Sequence, residues 1–122
     1  MNTESRTFDL EDPLIDFALK VDEIVEKLPN TKLANHLAGQ VVRSCTAPAL
    51  NYGETQSAES QRDFIHKMQI ILKELRETRV TLKIILRKPL LPFEVVDSVQ
   101  KENEELIAIF AKSIKTAKSR LS

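Results

Sequence analysis

The sequence predicts an all-α fold, an antiparallel up-down-up-down four-helix bundle, and three observations predict it. Two glycines and no tryptophan, with Leu, Ile, Glu, Lys and Ala plentiful, describe helices joined by short turns rather than a sheet sandwich. Apolar residues recur at steps of three and four in four separate stretches, the signature of one buried helical face. Capping residues, prolines and a glycine punctuate the gaps between them. Short connections then make neighbouring helices antiparallel. With 122 residues the chain can bury a real core, and 12–122 are expected to form one domain behind a flexible segment, 1–11, in which Phe8 and Leu10 could still pack back.

The first helix should start at Asp12 as N-cap with Pro13 in its first turn, where a missing N–H costs nothing. Leu14, Phe17, Val21, Ile24 and Leu28 form its stripe, flanked by Ala18 and Val25, and Pro29 and Asn30 end it. Thr31 can cap the second helix, where Leu33, Leu37, Val41 and Cys45 share a face and Ala34, Ala38 and Ala47 keep the profile thin. Pro48 falls inside this helix, removes the bond to the Ser44 carbonyl and predicts a bend. The helix should reach about Tyr52, with Gly53 as terminator and Ser57 as candidate cap for the third.

The third helix, Ser60 to Arg87, is the longest uninterrupted stretch. Its seam is Phe64, Met68, Ile71, Leu75, Thr78, Leu82 and Ile85, widened by Ile65, Leu72 and Leu86. At ~100° per residue, Ile70, Val80 and Ile84 fall on the opposite side, where a lone bundle leaves them in water; they are candidates for an oligomer interface. Pro89 to Pro92 reverses the chain. The fourth helix, about Phe93 to Lys118, has Val96, Val99, Asn103, Leu106, Phe110, Ser113 and Ala117 as its seam, broadened by Val95, Ile107 and Ile114.

Eighteen basic and eighteen acidic residues cancel, so no global field draws the chain to nucleic acid or lipid. Their distribution is uneven: residues 1–30 hold eight acids and three bases, whereas 59–91 hold four acids and eight bases. Lys73, Arg76, Lys83, Arg87 and Lys88 decorate the third helix and are the candidate nucleic-acid-binding residues, since phosphate attraction needs such clustering; a solvated face with i,i+4 partners is the plain alternative. After Glu105 every charge is basic (Lys112, Lys115, Lys118, Arg120), which the helix macrodipole favours and which could also form a basic rim.

Arg79 lies within the angular span of the third helix's buried stripe and calls for a carboxylate, with Glu54, Glu102 and Glu105 as candidates. Arg43, Asn51 and Asn103 raise the same question, and buried polar residues of this kind more often fix register than do chemistry. Catalytic and metal arrangements are lacking. A di-iron bundle needs two Glu-x-x-His pairs and two further Glu, whereas His36 stands alone and His66 belongs to a single Asp63-Phe64-Ile65-His66 run. Cys45, the only cysteine, reads as a buried filler and excludes an intrachain disulfide. Gly39 and Gly53 cannot make a phosphate loop. No cofactor, metal or enzymatic activity is expected, nor is a signal peptide or membrane span, and the cytoplasm is the default location.

Three runs in order give a resemblance. Gln40 to Cys45 with Asn51, Tyr52, Gly53 and Glu54 is similar to a second-helix pattern of a Gln, an Arg three later, small residues and Asn-x-x-Glu. The third helix adds Asp63, Phe64 and Lys73 to Arg79, and the fourth adds Glu105 to Ile107 and Ile114 to Lys118. Together they resemble the four-helix-bundle proteins encoded in intervening sequences of bacterial 23S ribosomal RNA genes. The resemblance implies that Gln40, Arg43, Asn51, Glu54 and Arg79 are buried polar motif residues and that the chain forms a homopentamer, and it brings no established enzymatic activity. A related bundle, the accessory variability protein of diversity-generating retroelements, is a pentamer that binds nucleic acid and a reverse transcriptase. Ala47 and Thr55 depart from the Ser and Gly usual near those positions.

The expectation is a non-enzymatic bundle that assembles with itself and binds RNA or DNA through basic residues repeated around a ring. The alternative is a protein-protein interaction scaffold, with a protein partner on the Ile70, Val80 and Ile84 face or on the acidic first helix.

Overall fold

The computed structural model describes residues 9–121. It contains four helices, α1 (Glu11–Val25), α2 (Lys32–Gln56), α3 (Gln61–Arg87) and α4 (Phe93–Ser119), and no strand among the described residues. Each helix packs on two neighbours: α2 on α1 and α3, α4 on α3 and α1. The chain is an all-α four-helix bundle.

Interhelical bonds fix the pairing. Gln61 Nε2, at the start of α3, donates to the Ala117 carbonyl near the end of α4 at 3.2 Å, and Asn103 Nδ2 donates to the Leu75 carbonyl midway along α3 at 3.1 Å. These two bonds set α3 and α4 head to tail. The Leu10 N–H donates to the Tyr52 hydroxyl at 3.3 Å, which ties the entry to α1 to the far part of α2.

The core follows the stripes. Leu14, Phe17, Val21 and Ile24 of α1, Leu37, Val41 and Cys45 of α2, Met68, Ile71, Leu75, Leu82 and Ile85 of α3, and Val96, Val99, Leu106 and Phe110 of α4 are buried in one cluster. The Tyr52 and Phe110 rings meet edge to face, centroids 6.4 Å apart at 87°, a favoured arrangement for two quadrupoles. Phe64, Leu86, Val95 and Ser113 are only half buried, and Leu33, expected on the inner face of α2, is exposed. Leu33 sits at the edge of the buried arc of α2, ~100° round from its neighbour Ala34, which is wholly buried in the same turn.

Several boundaries differ from the sequence reading. Helix α1 begins at Glu11 with Leu10 at the N-cap, so Asp12 lies in the first turn, where its charge suits the dipole. Asp9 Oδ1 accepts the Glu11 N–H at 3.0 Å. Leu10 is buried and so packs back on the bundle; Phe8 and the rest of residues 1–8 lie outside the described residues. Regular helix stops at Val25, and turns carry the chain to Pro29. Thr31 caps α2, accepting the Ala34 N–H at 3.1 Å. Helix α2 continues through Pro48 and Gly53 to Gln56, because Gly53 keeps an ordinary negative φ and so makes no left-handed cap. The cap of α3 is Ser60 rather than Ser57: its Oγ accepts the Asp63 N–H at 3.0 Å, the geometry an N-cap requires.

Candidate functional site

The outer face of α3 and its junction with α4 carry the candidate residues. Ile70, Val80 and Ile84 are 38%, 55% and 40% exposed, large apolar side chains turned away from the core. Around them Lys73, Arg76, Lys83, Arg87 and Lys88 are all exposed, Lys88 at the C-cap of α3. None of these five cations has an ion-pair partner among the described residues.

Lys73, Arg76 and Val80 line an open groove of about 770 Å³ between α3 and α4, together with Leu72, Ala111, Ile114, Lys115 and Lys118. The sequence reading missed this junction. Lys73 and Lys115 lie far apart in the chain, and only the α3/α4 register set by the Gln61 and Asn103 bonds brings them to one groove. Lys83, Arg87 and Lys88 lie beyond it, toward the C-terminal end of α3. Lys115 and Lys118, expected mainly to complement the helix dipole, thus also form the basic rim.

The motif residues expected to be buried are not buried in the chain. Gln40, Arg43 and Glu54 are exposed, and Asn51 and Arg79 are half buried. Arg43 instead bridges helices across the surface: Nη1 meets Glu74 Oε1 at 3.0 Å and Nη2 meets Glu77 Oε1. Those two carboxylates raise the Arg43 pKa, chiefly through the Glu77 hydrogen bond. Beneath this bridge the Ser44 and Thr78 hydroxyls share a buried bond of 2.7 Å, and Thr78 Oγ1 also donates to the Glu74 carbonyl. The otherwise apolar α2/α3 contact therefore carries one buried hydroxyl pair beneath a surface ion pair.

Arg79 has the carboxylate its position demands, but it is Glu104, bound in a fork at 2.8 and 3.1 Å. Successive helical residues point ~100° apart, so on α4 Glu102 faces α1, where it takes Lys20 at 2.9 Å, while Glu104 faces α3. Glu105 lines a separate shallow cleft with Pro13 and Ile109, and Glu54 makes no ion pair among the described residues.

Catalytic chemistry finds little to work with. Cys45 is buried, its Sγ near the Ala18 and Val42 carbonyls, and burial pushes its thiol up to about 12, which suppresses the thiolate a nucleophile needs. His36 and His66 are exposed. Among the described residues no three His, Cys, Asp or Glu side chains gather as metal ligands, and no helix is long and apolar enough to cross a membrane.

A four-helix bundle tied across its surface by interhelical ion pairs and carrying a basic-rimmed apolar groove is the class of protein these features define. The model of the 23S rRNA-intervening sequence protein family matches residues 12–112, and the chain belongs to that family. A solved structure from Bacteroides thetaiotaomicron VPI-5482, a protein with unknown function from the S23 ribosomal protein family, is similar with a TM-score of 0.80 and 28% identity, covering 88% of this chain and 99% of that one. No curated protein matches the chain. Neither the family nor the neighbour indicates a catalytic class.

Proposed function

We propose that this chain is a non-enzymatic, cytoplasmic, self-associating bundle, assembling as a homopentamer, that binds RNA or DNA through basic residues repeated around the assembly. The observation that carries the reading is the outer face of α3, where Ile70, Val80 and Ile84 are exposed among cations without ion-pair partners. Apolar side chains grouped on one helix face favour a protein contact. Unpaired Lys and Arg repeated by symmetry favour a polyanion, bound through counterion release with little sequence readout. The number five rests on the family resemblance.

Titration of labelled structured RNA and of duplex DNA at rising salt tests the nucleic-acid half. Binding at low salt should weaken linearly on a log–log plot, and replacing Lys83, Arg87 and Lys88 by Ala should flatten the slope. No binding at low salt, or binding indifferent to salt, contradicts it. The groove between α3 and α4 supports the second reading, a scaffold that holds a protein; there, nuclease treatment would leave partner capture unchanged.

A further inference from the structure

We propose that the basic-rimmed groove between α3 and α4 receives helix α1 of a second copy of this chain, with Ile15 and Leu19 laid along its apolar floor beside Val80. The inference rests on the self-association reading above and names the two surfaces that meet.

The groove states what it will accept. Its floor is apolar and its rim is cationic through Lys73, Arg76, Lys115 and Lys118, none of them in an ion pair among the described residues. Glu77, the one acid lining it, is bound to Arg43. Four like charges around an apolar floor repel one another and match an occupant that is apolar in the middle and acidic at its flanks.

Helix α1 has that pattern on its outer face. Ile15 and Leu19 are 39% and 60% exposed and one turn apart. Asp12, Asp16 and Glu23 surround them, all exposed, and the single base of the helix, Lys20, is already held by Glu102. Dimensions agree as well. The α3 wall of the groove runs from Gln69 to Val80, about 17 Å at 1.5 Å per residue, and the 15 residues of α1 span about 22 Å.

The occupant cannot be the chain's own α1. That helix packs on α2 and α4 and makes no packing contact with α3, so its outer face points away from its own groove. A contact between α1 of one copy and the groove of the next is heterologous: every copy keeps one free α1 and one free groove, and the contact propagates until a ring closes or a filament grows. Lys73 and Arg76 then serve assembly, and Lys83, Arg87 and Lys88, outside the groove, remain for phosphate.

Light scattering on the whole chain and two charge-reversed variants tests the pairing. One variant carries Arg76→Glu with Lys115→Glu, the other Asp16→Lys with Glu23→Lys; all four positions are exposed, and circular dichroism checks that each variant folds. The expected result is an oligomeric native chain, a half-association concentration raised at least about tenfold in each variant, and renewed association when the two variants are mixed, since the groove of each then matches α1 of the other; the copies must alternate, so the mixture forms even-numbered or open assemblies rather than a closed ring of five. If the native chain associates and either variant keeps its mass, or mixing restores nothing, the pairing is overturned while self-association stands. A groove variant that loses RNA binding but keeps its mass assigns the groove to nucleic acid and also overturns it. A native chain at 13.9 kDa removes self-association itself.

Discussion

Asn103, wholly buried on α4, donates its Nδ2 to the Leu75 carbonyl of α3 at 3.1 Å, and its Oδ1 has no partner among the described residues. The bond fixes the register of α3 against α4, on which the groove depends. It does so with an uncompensated acceptor in the core, a desolvation cost of roughly 1–3 kcal/mol.

Asn103→Leu keeps the number of side-chain heavy atoms and removes that acceptor, while the Leu75 carbonyl retains its helical N–H donor. The Leu variant should equal or exceed the native chain in urea midpoint, and Asn103→Ala, which leaves a cavity, should lose roughly 1–3 kcal/mol. A Leu variant less stable than the Ala variant contradicts this account of the site.

The Cys45 thiol, held at about 12 against an ordinary 9.0 by burial, should resist alkylation in the folded chain. At pH 8 its thiolate fraction is on the order of 10³-fold below that of an exposed cysteine. Labelling in native buffer and in urea checks this, and equal rates contradict it. The raised value also means that the Cys45 contribution to stability is fully present below the ordinary thiol value and declines as pH rises from there toward 12.

The start of α3 should carry an acid-sensitive contribution. Asp63 accepts the Glu59 N–H at 3.1 Å and the Lys67 ammonium at 3.0 Å, and these bonds hold its carboxyl below the ordinary 3.8. A depressed folded value gives stability that is present above 3.8 and lost as pH falls through that lower value. Urea midpoints measured from pH 6 downward should fall more steeply for the native chain than for Asp63→Asn; identical acid limbs contradict the assignment. Ser60→Ala, which removes the cap on the Asp63 N–H, should cost about 1 kcal/mol.

Much of the fold was legible because it is local. The seam of α3 from Met68 to Ile85 and the Thr31 cap depend only on residues a turn or two away, and both stand where the spacing puts them. Boundaries were harder: Gly53 resembles a terminator, yet tertiary cover of Tyr52 and Thr55 carries α2 on to Gln56. The exposure of Ile70, Val80 and Ile84 followed from their angle on the helix. The groove was not legible, since Arg76 and Lys115 come to line it only through the packing of α3 on α4. The partner of Arg79 was missed for a similar reason: Glu102, Glu104 and Glu105 sit on three different sides of α4, and sequence separation does not say which side faces α3.

The central claim is that the outer face of α3 is covered by another copy of the chain, and the most direct measurement is light scattering of the native chain from about 1 to 100 µM, spanning common protein affinities. The expected mass is near five times 13.9 kDa, falling toward the monomer when Val80 and Ile84 are replaced by Glu. A mass of 13.9 kDa at every concentration would contradict it.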